Sequence, residues 1–194
     1  NGNRITTYKG EYCMGKVVII SGSPSKTSRL NGIIRYADES LQRQGLSTRR
    51  IDVADLPAQD LISANFQSEA IREANAHVET ADAVVIASPV YKGTYTGVLK
   101  TYLDLLPQKG LAGKIALPIF IGGTIAHLLS IEYGLKPLLS LLGARHILAG
   151  VYVVDTQVQW TGDGRIEIAD EIRERLDASL AELAEAIKGR PLTF

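Results

Sequence analysis

The sequence predicts an α/β fold, a three-layer sandwich with a five-stranded parallel sheet of strand order 2-1-3-4-5 between two layers of helices. Three observations lead there. Five runs rich in Val and Ile alternate with longer stretches of helical period, the pattern of parallel strands joined by helical crossovers. Three of those runs are apolar on both faces, as a sheet covered on both sides requires. The chain has 194 residues, 45% hydrophobic and 22% charged, which suits one domain with a full core.

The strands are placed at 16–21, 47–53, 83–88, 114–121 and 147–155. The second is the most polar and suits a sheet edge. Helices are placed at 28–44, 68–80, 96–106, 124–142 and 168–188. The last repeats Ile168, Ile172, Leu176, Leu180, Leu183 and Ile187 at helical spacing, with a charged opposite face, so it lies on the outside. The fourth carries Leu128, Leu129, Ile131, Leu135, Leu138, Leu139, Leu141 and Leu142, more apolar surface than one sheet face covers, and is expected to meet another subunit. Pro137 lacks an N–H for its ladder, so a kink or π-bulge is expected near Tyr133. Residues 1–13 read as an N-terminal tail, a remnant of expression or a frayed end, before a native start at Met14. The folded domain is then 14–194, with no internal repeat or linker to divide it.

Twenty-one basic residues balance 21 acidic ones, so no global field holds the chain on nucleic acid or an anionic membrane. Any anion site must be local. The one cysteine, Cys13, has no internal disulfide partner, no charged-plus-apolar leader is visible and no apolar run approaches a bilayer's width, so the chain is expected in the cytoplasm.

In doubly wound sheets ligands sit outside the carboxyl ends of the strands, near the topological switch point. The loop after the first strand, Gly22-Ser-Pro-Ser-Lys-Thr27, ends like an ATP loop. That pattern needs glycines where Ser25 and Ile20 stand, and the dinucleotide fingerprint needs three glycines where only Gly22 is present. What remains is Ser23, Ser25, Thr27 and Ser28 with Lys26 and Arg29, opening onto a helix. A helix N-terminus with hydroxyl donors and cations binds a monophosphate; the simpler reading is that Thr27 or Ser28 caps the helix.

The third strand runs into ASPVYKGTYTG, where Pro89 sets the exit direction, Gly93 and Gly97 leave room for a flat group, and Tyr91 and Tyr95 supply aromatic walls. Two surface tyrosines in a turn explain the same residues. The fourth strand runs into FIGGTIAHLLS, in which Gly122 and Gly123 permit close approach and Thr124 is an N-cap that places His127 at the third helical position. A ligand with one phosphate and a planar ring fits these three loops together, and FMN is such a molecule.

At GSPSKTSR (22–29), SPVYKGTYTGVLKTYLDLLP (88–107) and LPIFIGGTIAHLLSIEYGLKPLLS (117–140) the chain resembles the flavodoxin-like NADPH-dependent FMN reductase family, most closely its SsuE type, over nearly everything from Met14 onward. The resemblance implies NADPH as hydride donor and FMN as acceptor, with reduced FMN supplied to an alkanesulfonate-type monooxygenase in sulfur metabolism. It implies that Ser23, Lys26, Thr27, Ser28, Arg29 and Leu30 hold the FMN phosphate. Pro89, Val90, Tyr91 and Lys92 would line the isoalloxazine, and Gly122, Gly123, Thr124 and His127 would close the far side. Many relatives have Arg where this chain has Ser25, so Lys26 or Arg29 must replace it. In the same group a tyrosine inserted at the position of Tyr133 accompanies a π-bulge at a tetramer interface, which implies a dimer or tetramer here.

Flavin chemistry asks the protein for no nucleophile, metal or carboxylate pair, and GxSxG, HExxH and CxxC are all missing from the sequence. The rivals are a quinone or azo reductase that retains its FMN and a non-catalytic flavodoxin-type electron carrier. The neutral charge argues against the carrier.

Overall fold

The computed structural model describes residues 15–161 and 165–189; the tail at 1–13 and the expected start at Met14 lie outside them. β1 (Lys16–Ser21) pairs in parallel with β2 (Ser47–Asp52) on one side and β3 (Ala83–Tyr91) on the other. β3 extends past the predicted end into a short antiparallel partner, β4 (Thr94–Tyr95), and continues the sheet to β5 (Ile115–Gly122). β2 is the edge strand, as its polar pattern requires.

The fifth position is shared by two short strands, β6 (His146–Ile147) and β7 (Val151–Val154), both parallel to β5. The break between them lies beside Pro118, which has no N–H to give a ladder. Gly150 fills the gap at φ +84, where an added Cβ would stand 2.8 Å from the Pro118 carbonyl oxygen.

Helices α1 (Arg29–Arg43) and α6 (Asp170–Lys188) cover one face, packing Leu30, Ile33, Leu41, Leu176, Leu180 and Leu183 on Val17, Ile19, Val85 and Leu117. The other face is covered by α3 (Glu69–Glu79), which follows the short α2 (Ala58–Ile62), and by α4 (Gly97–Leu103), with Ile71, Val78, Leu99 and Leu103 on Val18, Ile20, Ile86 and Phe120. Successive strand residues therefore feed opposite cores, and each fully buried aliphatic side chain contributes about 1.5–3 kcal/mol. Strand order and layering are those the sequence predicts.

The helix predicted over 124–142 is instead three pieces: a 3-10 turn (Ile125–His127), a π-helix (Ser130–Leu135) and α5 (Lys136–Leu141). The Lys136 N–H reaches Ile131 O, five residues back, just before Pro137 removes the next donor. The π segment thus sits where the sequence expected a kink. Residues 158–160 and 166–168, unassigned or given to the last helix, pair as antiparallel strands β8 (Val158–Trp160) and β9 (Ile166–Ile168). Ile168 belongs to that strand pair, and α6 begins at Asp170 with Asp170 and Glu171 at its positive end.

Candidate functional site

A cleft of about 430 Å³ opens at the carboxyl ends of β1, β3, β5 and β7. Ser25, Thr27, Ser28 and Arg29 line one side, and Pro89, Val90, Tyr91, Ile121, Gly122 and Gly123 the other, with Asp155 and Trp160 completing the wall.

The loop after β1 holds itself in shape through its hydroxyls. Ser23 Oγ donates to Ser25 O at 2.9 Å and accepts Ser25 N–H at 3.3 Å, while Ser25 Oγ accepts Thr27 N–H at 3.3 Å. Ser25 and Thr27 share one hydroxyl hydrogen bond of 3.1 Å, which leaves the other hydrogen to donate elsewhere. Ser28 is the N-cap of α1, accepting Leu30 N–H at 3.2 Å, and still lines the cleft, so capping and cleft duty coexist in one residue. The positive end of the α1 macrodipole stands at this corner.

The loop is tied to β3 by a buried relay. Thr96 Oγ1 donates to Gly22 O at 2.6 Å and accepts Leu99 N–H at 3.0 Å, capping α4. Ser88 Oγ accepts Thr96 N–H at 3.0 Å and donates to Pro89 O at 2.9 Å. These bonds fix the exit of β3 against the first loop.

The remaining wall follows from close approach. Gly122 has no room for a side chain, since a Cβ there would lie 2.2 Å from the Tyr152 hydroxyl, which donates to Thr124 O at 2.8 Å. Burial, and then the Asp155 carboxylate, push the Tyr152 hydroxyl up in pKa, which keeps it the donor. Gly93 serves the turn between β3 and β4, where Lys92 at φ +52 and Gly93 at φ +85 form a two-residue hairpin loop.

Of the residues expected to bind flavin, Thr27, Ser28, Arg29, Pro89, Val90, Tyr91, Gly122 and Gly123 line the cleft. Six do not. Ser23 is buried and bonded within the loop, and Leu30 lies in the core. Lys26 reaches away to Asp55 at 2.6 Å, a hydrogen bond and charge that raise its pKa, so among the two loop cations only Arg29 lines the cleft. Lys92 sits exposed in its turn, Thr124 caps the 3-10 turn through Ala126 N–H, and His127 stands beside Gly93. Asp155 and Trp160, which line the cleft, are absent from the sequence-based set. The sequence offers only a weak signal for Trp160, the spacing of Val158 and Trp160 before Gly162-Asp163-Gly164 and of Ile166 and Ile168 after it, and none for Asp155.

Among the described residues no cluster of three or more His, Cys, Asp or Glu could hold a metal, and no helix is long and apolar enough to cross a membrane. A family model described as NADPH-dependent FMN reductase matches residues 15–159. An FMN reductase (NADPH) of Pseudomonas putida is 41% identical over 176 residues, 90% of this chain and 89% of that protein. One of Escherichia coli is 38% identical over 175 residues, 90% of this chain and 91% of that protein. The apo crystal structure of an NADH:FMN oxidoreductase matches at a TM-score of 0.82 and 33% identity, over 91% of this chain and 92% of that one. The fold is thus that of the flavodoxin-like reductases, and this chain belongs to the NADPH-dependent FMN reductase family.

Proposed function

We propose that this chain transfers hydride from NADPH to FMN in the cleft and releases reduced FMN to a monooxygenase of the alkanesulfonate type, in the cytoplasm. One observation carries the reading: a single cleft joins a cationic, hydroxyl-bearing helix start to a wall of Pro89, Val90 and Tyr91 faced by two glycines. Its volume of about 430 Å³ lies in the range of small-molecule sites, roughly 300–1,000 Å³.

The residues present fit the flavin. Thr27, Ser28 and Arg29 would hold its phosphate at the positive end of α1, and Pro89, Val90 and Tyr91 would bound one side of the ring. Gly122 and Gly123 let the other edge approach backbone. When bound, the flavin supplies the hydride acceptor. The protein's share is to fix the ring through the Ser88–Thr96–Gly22 relay and to leave one side open for the nicotinamide. An open cleft with one cation favours exchange of flavin over permanent retention.

NADPH consumption under air tests this directly. It should rise with added FMN and fall back to a small residual rate without it. Strong turnover of a quinone with no added flavin would instead identify a reductase that keeps its FMN. Gel filtration with micromolar FMN should strip the flavin from the protein.

We also propose a homo-oligomer, a dimer or tetramer, through the segment around the π-helix. Ile125, Leu128, Leu129, Tyr133 and Leu141 are all exposed there, Tyr133 by 78% and Leu141 by 77%, an apolar face of the kind that another subunit covers. Light scattering should give a multiple of 21.0 kDa, and Tyr133→Asp should move it toward the single-chain mass.

A further inference from the structure

The strand pair of β8 and β9 is held on α1 in a way that places Trp160 at the phosphate end of the cleft. Gly32 lies inside α1, where glycine costs about 1 kcal/mol relative to alanine. Packing gives the reason: a Cβ at Gly32 would lie 2.2 Å from Ile166 Cγ2, so the helix admits the strand pair only because this residue has no side chain. Val158 and Ile168 are buried in the core beneath α1, and Trp160 pairs with Ile166 on the same face, two residues farther out. The indole therefore lines the cleft with Ser28 and Arg29, and remains 41% exposed.

Asp155 also lines the cleft, just past the end of β7. The residues lining the cleft include one cation, Arg29, and one carboxylate, Asp155. A ligand that ends in a single phosphate meets Arg29 and the helix start. One that continues into a second phosphate and a nucleoside brings added negative charge and bulk into a cleft that also holds a carboxylate and an indole.

We infer that Trp160 and Asp155 are a specificity filter that admits a flavin mononucleotide and turns away a flavin dinucleotide. The inference rests on the flavin reading of the cleft, and binding rather than turnover tests it. Dissociation constants for FMN, FAD and riboflavin are measured by flavin fluorescence on the wild-type chain, Trp160→Ala and Asp155→Asn. The wild type should prefer FMN to FAD by about tenfold, a preference that either variant reduces to about threefold or less. Riboflavin, with no phosphate, should respond little to Asp155→Asn. Trp160 is the one tryptophan of the chain, so FMN should also quench the intrinsic indole fluorescence of the wild type.

A fall in the FAD-to-FMN ratio in either variant supports the filter. A ratio that stays at the wild-type value in both, or a wild type that binds the two flavins equally, overturns it, as does an indole signal that ignores saturating FMN. If Trp160→Ala does not fold, Asp155→Asn alone decides. A wild type that binds none of the three flavins would instead overturn the flavin reading itself.

Discussion

Two regions at the same end of the sheet are built in opposite ways. The loop after β1 is polar: its Ser23, Ser25 and Ser28 hydroxyls bond its own backbone, and Thr27 Oγ1 bonds Ser25 Oγ, so its shape is set from within. The segment after β5 is apolar and exposed at Ile125, Leu128, Leu129 and Tyr133, and its helical ladder changes from 3-10 to π to α within residues 125–141. The first region satisfies its polar groups within itself; the second leaves large apolar groups uncovered. Polar groups satisfied within a loop preorganise it, whereas exposed apolar groups specify only that something must cover them.

Each region is anchored by one buried contact, and the largest expected effect comes from breaking the second region's anchor. Gly122→Ala would push a methyl group into the Tyr152 hydroxyl and cost that hydroxyl its bond to Thr124 O. Overpacking and the lost bond together should destabilise the fold by about 3 kcal/mol in urea denaturation. In a Tyr152→Phe background the same substitution should cost less, because the clashing atom is gone.

The first region's anchor comes next. Thr96→Val keeps the shape but removes the donor to Gly22 O and the cap on Leu99 N–H, both buried. The expected loss is about 2 kcal/mol, with FMN binding weakened because the loop is no longer tied to β3. Thr96→Ser should restore most of both.

The contrast also separates what the sequence could show from what it could not. β1, β3 and β5 are legible because apolar runs rich in Val and Ile have few other uses in a chain this size, and the first loop because hydroxyls before a helix mark a cap or an anion site. The π segment is legible only as a conflict, Pro137 inside an apolar helical pattern. Trp160 and Asp155 are not legible in the sequence, because strands of three residues carry too little period to register and the cleft needs the long-range packing of Ile166 on Gly32 to bring Trp160 in. Lys26 is a different case: position in a loop does not say which way a flexible cation reaches, and here it pairs with Asp55.

That pairing supplies the two smallest predictions, which divide the charge of the first region between its cations. Arg29 lines the cleft, and among the described residues it has no carboxylate partner. Arg29→Gln should weaken FMN binding about tenfold, with little effect on riboflavin, because a charge-assisted bond to the phosphate is lost.

Lys26 is 78% exposed and paired with Asp55, itself half exposed, so its charge is both screened by solvent and already answered. Lys26→Met should change FMN affinity by about twofold or less, and the change should vanish as salt is raised past about 0.5 M, where the screening length falls toward contact distance. The pair raises the Lys26 pKa, so its own small contribution is present below the ordinary lysine range and disappears as pH climbs through the raised value. A tenfold loss in Lys26→Met at ordinary salt would mean that the side chain leaves Asp55 for the ligand, and the division of labour between the two cations would reverse.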